Sequence, residues 1–287
     1  MNRLEAVNDF VIKFANVNGS GSASANEIFA KAILRMGVPV SPRNIFPSNI
    51  QGLPTWYEVR VSEKGWLGRR GGIDMMVAMN PQTWDQDLQE IESGGYLFYD
   101  STRPLPASAF RKDITVIGMP VTAICNATYE DPRQRTLFKN IMVLGALSVL
   151  MDVDADAIEK LFSEQYKGKE RLLESNVRAL QAGRSFVREH LMPPLGPGMG
   201  LRVKRADAVG ERIFVEGNAA TALGCVYGGA TVCAWYPITP SSSVAEAFTA
   251  YCKKLRHDPV TGEAKYAIVQ AVSPDSKFQI SFFQSEI

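Results

Sequence analysis

The stretch that most constrains this chain lies near its start. An apolar run from Phe10 to Val17 passes directly into Asn18, Gly19, Ser20, Gly21 and Ser22, and then into a helical pattern from about Ala25 to Met36. Ile28, Phe29, Ala32 and Ile33 fall on one face of that helix. Gly37, with Pro39 beyond it, is the matching stop signal. Strand, glycine turn and helix in that order open a β-α-β unit, so the chain is committed to an α/β fold.

The same grammar continues. Strands are expected at Thr55 to Val61, Ile73 to Met79, Gly95 to Tyr99 and Asp113 to Ile117, with a helix over Pro81 to Ser93 between two of them. Asn140 to Leu150 is apolar almost all round, the mark of a buried helix. Asp154 is placed to cap a helix running to Glu164. A longer helix, Gly168 to Glu189, offers Leu172, Val177, Leu180 and Phe186 as its buried positions. Proline and glycine then crowd Leu191 to Gly200, and a linker is expected at 191–210. A second α/β run follows: strand Arg212 to Glu216, helix Ala219 to Tyr227, strand Thr231 to Tyr236, helix Ser241 to Leu255, strand Lys265 to Ala271. Three strands and two helices leave that second sheet with uncovered apolar faces.

Composition removes several classes of function. Apolar residues make up 46% and charged residues 21%, which excludes a disordered or collagen-like chain. Thirty-one basic residues against 30 acidic ones give a formal charge of +1, so nothing draws the whole chain to nucleic acid or to an anionic membrane. The longest apolar run, Ile141 to Met151, falls short of the roughly 20 residues a membrane span needs. Met1 to Glu5 brings in an acid early and lacks an apolar core, so no secretory signal is expected. Cys125, Cys225, Cys233 and Cys252 are widely spaced, and His190 and His257 are the only histidines. That pattern fits reduced thiols in a cytoplasmic protein and provides no metal site.

Three motifs could carry chemistry. Gly19 and Gly21, after a strand and before a helix, would let backbone amides approach a phosphate-bearing ligand at the positive end of the helix. A tight turn without a ligand explains the same residues. NAD is disfavoured, because Ser24 stands at the third glycine of the dinucleotide fingerprint and no acid lies between Glu27 and Glu58. The second motif is Tyr236, Pro237, Ile238, Thr239, Pro240, Ser241 and Ser242, between a strand and a helix. Thr239 suits the N-cap and Pro240 the first helical position, so hydroxyls and amides would converge where a small carboxylate can be held. A capped helix and nothing more is the alternative. Third, Gly217 and Asn218 after Glu216 tolerate unusual backbone angles and could meet a ligand or a partner, or simply turn the chain. Arg69 and Arg70, ahead of Gly71 and Gly72, could clamp a phosphate or face solvent.

Taken in order, these motifs resemble one family. The chain is similar to the α subunit of 2-oxoacid:ferredoxin (acceptor) oxidoreductases, of the 2-oxoglutarate type in which a γ domain is fused ahead of the α domain. The resemblance rests on the Gly19–Gly21 turn, Pro47 to Gly52, Ile73 to Ala78, Gly94 to Leu97, Glu216 to Gly224 and Tyr236 to Ser242, and it covers about residues 8–271. It implies a Rossmann-like γ-type catalytic domain with a mostly parallel sheet at 1–190. After the linker, it implies the beginning of a thiamine-diphosphate-binding, pyrimidine-type α/β domain at 211–271.

It also implies a reaction, in which a 2-oxoacid and coenzyme A give acyl-CoA, carbon dioxide and low-potential electrons for ferredoxin or another acceptor. Thr239, with Ser241 and Ser242, would bind the substrate; Gly19, Gly21, Gly217 and Asn218 would contact cofactor. Thiamine diphosphate with Mg2+ and a 4Fe-4S cluster would be held mainly by a partner β subunit. One departure stands out. The family's acidic residues after the strand ending at Ala271, including the glutamate that engages thiamine, are replaced by Val272, Ser273, Pro274 and Asp275. No catalytic residue is therefore assigned on this chain. Residues 272–287 read as a divergent tail on a truncated subunit, inactive alone, and a non-catalytic assembly module is the competing expectation.

Overall fold

The structure is a computed structural model that describes residues 3–47, 50–109, 111–195, 199–238 and 241–271. It divides into two units, Met1–Gly210 and Glu211–Ile287.

The first unit begins with β1 (Ala6–Val7), β2 (Asp9–Val17), α1 (Ser22–Arg35), β3 (Val40–Ile45), β4 (Pro54–Ser62) and β5 (Ile73–Ala78). It continues with α2 (Trp84–Gln89), β6 (Ile91–Asp100), β7 (Thr115–Met119), α3 (Val121–Thr128) and α4 (Pro132–Leu150). Then come α5 (Ala155–Gln165), α6 (Glu170–Phe186), α7 (Met192–Leu195) and β8 (Leu201–Arg202). The main sheet has the order β3-β4-β2-β5-β6-β7. The pairs β2–β5, β5–β6 and β6–β7 are parallel, whereas β4 runs antiparallel to both β2 and β3.

β2 is buried from Phe10 to Asn16, so both faces of the sheet are covered. Phe14 meets Phe29 of α1 edge-on at 5.6 Å. Val11 and Ala15, on the opposite face, join the cluster that holds Trp84 and Leu88 of α2. Helices α1 and α2 therefore lie on opposite faces although β2 and β5 are neighbours. The carboxyl ends of those two strands form a topological switch point, where open α/β sheets place ligands.

Several expectations need correction. The helix predicted over Pro81 to Ser93 is cut to a single short turn and α2, because buried Ile91 pairs with Ile73 and starts β6. The expected strand at Asp113 to Ile117 is displaced to Thr115–Met119. Helix α4 starts well before Asn140: Asp131 caps it by accepting the Arg133 N–H at 2.8 Å, with Pro132 at its first position. Leu180 is buried as expected, but Leu172 is exposed and Val177 and Phe186 are half-buried, and α6 also buries Asn176, Ala179 and Gly183. Strands β1, β3 and β8 and helix α3 carried no recognised signal. Asp154 caps α5 as expected, accepting the Asp156 N–H at 2.9 Å.

The proline- and glycine-rich stretch does not leave the first unit freely. Leu201 and Arg202 pair in parallel with Ala6 and Val7, and Val203 N–H donates to Met151 O at 2.8 Å. Ala206 and Ala208 N–H groups donate to Met36 and Gly37 carbonyls, each at 2.9 Å.

The second unit contains α8 (Gly217–Tyr227), β9 (Val232–Trp235), α9 (Ser242–Leu255) and β10 (Ala267–Gln270). Strands β9 and β10 pair in parallel. Ala222, Val226, Phe248 and Cys252 form its small core. The strand expected at Arg212 to Glu216 does not form; Ile213 is 73% exposed and finds no sheet neighbour among the described residues.

Candidate functional site

Each unit carries one of the sequence-predicted sites. In the first, β2 ends at the turn that holds Gly19 and Gly21. Their φ angles are +82° and +75°, in the left-handed region that favours glycine. A side chain at Gly19 would come within 2.7 Å of Gln51, and one at Gly21 within 2.8 Å of Leu137. Gly21 is the N-cap of α1 and supplies no side-chain cap, so the first amides of that helix stay open to a ligand. Asn140 Nδ2 donates to Ser20 O at 2.8 Å and ties the turn to α4.

Beside this turn is a cavity of about 220 Å³, walled by Asn16, Asn26, Trp56 and Tyr57 among others. Asn16 and Asn26 are each 7% exposed. No sequence argument singled them out. The available signal was a carboxamide at a core position in an otherwise apolar strand and on the buried face of a helix.

At the same sheet edge, Asp100 accepts hydrogen bonds from the N–H and hydroxyl of Thr122 and from the Thr102 N–H, and it lies 3.3 Å from Lys139 Nζ. Burial raises its pKa, but these donors outweigh burial and hold the carboxyl below its ordinary value. Cys125 nearby is buried, which pushes its thiol up to about 11 and keeps it unreactive. Arg70 is not a free phosphate clamp. It pairs with Asp74, a buried carboxylate that also accepts the Val11 N–H at 2.7 Å. Burial is the main cause that leaves Asp74 above its ordinary value.

In the second unit, α8 and α9 pack together, and their N-terminal ends are joined. Asn218 Nδ2 donates to Ser243 Oγ at 2.7 Å, so the two stretches chosen from sequence meet through a residue that sequence reasoning passed over. The N-cap residues Glu216 and Ser241 make no side-chain cap bond among the described residues. Ser241 Oγ donates to Ile238 O at 2.9 Å, and Ser242 Oγ accepts the Ile238 N–H at 3.1 Å. These bonds fold Ile238 back over the start of α9. Helix α9 begins at Ser242, and Thr239 and Pro240, the expected cap and first helical residue, lie outside the described residues, as does Val272. Gly217 is exposed and its neighbourhood is open.

Among the described residues no group of three or more His, Cys, Asp or Glu is placed to hold a metal ion. All four cysteines are free. No described helix is long and apolar enough to cross a membrane.

Comparison with known proteins gives consistent results. The family model described as pyruvate ferredoxin/flavodoxin oxidoreductase matches residues 11–186. The chain is 26% identical over 275 residues to 2-oxoacid:ferredoxin oxidoreductase 2, subunit alpha, of Aeropyrum pernix, covering 83% of this chain and 42% of that protein. It is 25% identical over 275 residues to the 2-oxoglutarate oxidoreductase subunit KorA of Mycobacterium tuberculosis, covering 84% of this chain and 40% of the relative. Its fold matches the 2-oxoglutarate:ferredoxin oxidoreductase from Magnetococcus marinus, solved with 2-oxoglutarate, coenzyme A and succinyl-CoA bound. That match has a TM-score of 0.77 at 24% identity and covers 93% of this chain and 44% of that one. The chain thus spans less than half the length of each of these relatives.

Proposed function

The chain belongs to the pyruvate ferredoxin/flavodoxin oxidoreductase family, and from that premise we propose that it is the α-type subunit of a 2-oxoacid:ferredoxin oxidoreductase that acts on 2-oxoglutarate. Its first unit serves as a fused γ-type domain, and residues 211–271 serve as the opening of a pyrimidine-type domain. The preference for 2-oxoglutarate follows the name of the Mycobacterium tuberculosis relative. The reaction takes a 2-oxoacid and coenzyme A to acyl-CoA, carbon dioxide, a proton and two electrons. A companion β subunit carries Mg2+, thiamine diphosphate and the 4Fe-4S cluster, as the family resemblance implies. Thiamine diphosphate, when bound, supplies the electron sink for decarboxylation.

The observation that carries this reading is the Asn218–Ser243 hydrogen bond, which holds the starts of α8 and α9 side by side. Backbone amides at two such starts favour an anion. There the substrate's carboxylate is bound and oriented by the Ser241 and Ser242 hydroxyls, and Thr239 is assigned to the same substrate on the sequence motif alone. Gly217 lets a cofactor approach the α8 backbone, since a residue without Cβ presents least bulk. In the first unit, the Gly19–Gly21 turn and the start of α1 contact coenzyme A.

The test is turnover. The full-length chain combined with its β subunit is expected to reduce ferredoxin only when 2-oxoglutarate and coenzyme A are both supplied. Ser243→Ala is expected to raise KM for the 2-oxoacid by about tenfold with little change in kcat, the effect of losing one positioning hydrogen bond. Tight association with the β subunit but no turnover would instead identify a non-catalytic assembly module.

A further inference from the structure

Trp235 closes β9, directly before the Tyr236–Ile238 stretch that leads to α9. Side chains alternate along this strand. Val232 and Ala234 are exposed, whereas Cys233 packs against the core that α8 and α9 share. Trp235 falls on the Cys233 side and faces the helices. The neighbouring strand agrees: Ile268, the register partner of Cys233, packs on that core too, and Gln270 is the register partner of Trp235. The chain leaves the carboxyl end of β9 and starts α9 there, and the Asn218–Ser243 bond brings the start of α8 alongside. The indole therefore stands at the strand end, on the side of the two helix starts.

One atom in this corner is out of balance. Trp235 Nε1 is buried and has no hydrogen-bond partner among the described residues, although the residue as a whole is only half-buried. The two buried tryptophans of the first unit do find acceptors: Trp56 Nε1 donates to Asp87 at 2.8 Å and Trp84 Nε1 to Ala78 O at 3.3 Å. An indole N–H can only donate, and a buried donor without an acceptor costs the fold. The groups at the helix starts are committed elsewhere. Asn218 is joined to Ser243, and the Ser241 and Ser242 hydroxyls are bonded to Ile238. Helix-start amides are themselves donors. Gln270, beside Trp235, is exposed, so the corner opens to solvent on that side.

We propose that the Trp235 N–H receives an oxygen acceptor at the far end of the substrate's side chain. The substrate is then a 2-oxoacid whose side chain ends in a carboxylate and not in a hydrocarbon. This rests on the proposed function, which gives the helix starts to the carboxylate beside the keto group and assigns nothing to the other end. The amides and hydroxyls of the helix layer serve the first end; a separate donor on the strand layer serves the second. A hydrocarbon end would leave the N–H unpaired, and a site built around a hydrogen bond rejects a substrate that cannot make it.

The test compares two substrates on the enzyme assembled from the full-length chain and its β subunit. One is 2-oxoglutarate; the other is 2-oxopentanoate, which has a methyl group in place of the distal carboxylate. Trp235→Phe keeps an aromatic ring and removes the N–H. In this variant the ratio of kcat/KM for 2-oxoglutarate over 2-oxopentanoate is expected to fall about tenfold. Tm is expected not to fall, because the donor removed had no partner. Turnover with an unchanged ratio would overturn the inference and leave the oxidoreductase reading standing. A lower Tm with equal losses on both substrates would give the N–H a role in the fold alone, and would overturn it too. Absence of turnover with every 2-oxoacid in the unaltered enzyme would overturn both readings. If the variant does not assemble, NMR of the unaltered protein decides. The Trp235 indole N–H resonance must shift on adding 2-oxoglutarate and stay in place with 2-oxopentanoate, and its constancy with both would overturn the proposal.

Discussion

Asp258, just beyond α9, shows how much one carboxylate can organise. It accepts the N–H groups of Val260 at 2.9 Å and Thr261 at 3.0 Å and pairs with Lys265 at 2.6 Å, which pins the turn leading toward β10. The Lys265 contact and these backbone donors hold its pKa down to about 2, below its ordinary 3.8. A depressed carboxylate contributes stability above its unfolded pKa and loses it as pH falls through the folded value. Asp258→Asn is therefore expected to lower the melting temperature at pH 7, with the difference shrinking between pH 3.8 and about 2. Thermal melts of both proteins at the two pH values check this. Asp87 runs the opposite way: burial dominates and raises it, while Trp56 and Thr83 donate to its oxygens. At this scale the sequence was only partly legible. It marked Gly19 and Gly21 because a turn needs their φ. It left Asn16 and Asn26 silent, because whether a buried amide has a partner depends on residues far along the chain.

Helices α4 and α6 pack with their backbones in close approach. A Cβ on Gly145 would lie 2.1 Å from Leu180 O, and one on Gly183 would lie 2.0 Å from Met142 O. The two glycines let the backbones touch, and Arg184 reaches across to Ser148 Oγ at 2.7 Å. Gly145→Val is expected to push the helices apart and destabilise the first unit by about 3 kcal/mol, the upper part of the usual overpacking range. Urea unfolding followed by circular dichroism measures it, and a change under 1 kcal/mol would contradict the contact. The apolarity of Asn140 to Leu150 announced a buried helix, but it did not announce the partner. That is why Leu172, apolar and correctly spaced, was expected inside and lies outside. The crossing sets α6 so that Asn176, Ala179 and Gly183 face inward along with the expected Leu180.

Over the whole chain, the two units are the organising fact. Residues 209–216 contain no helix or strand and are largely exposed, with Ile213 and Val215 uncovered. Proteases cut such segments first. Brief trypsin treatment is expected to cleave at Arg212 and leave a fragment that keeps the circular dichroism of the first unit. Primary cutting at Arg202 or Arg205 instead would mean that pairing with β1 and the Ala206 and Ala208 bonds do not strap that stretch down. What the sequence determined unaided was local: the alternation of strand and helix, the glycine turn, the cap at Asp154, and the family likeness. Each depends on periodicity or backbone freedom within a few residues. Only the tertiary structure decided that β4 runs antiparallel beside β2, that β8 pairs with β1, and that Asn218 reaches Ser243. Those outcomes depend on hydrogen-bond partners and buried faces supplied from distant parts of the chain, and no window of sequence contains both halves of such a contact.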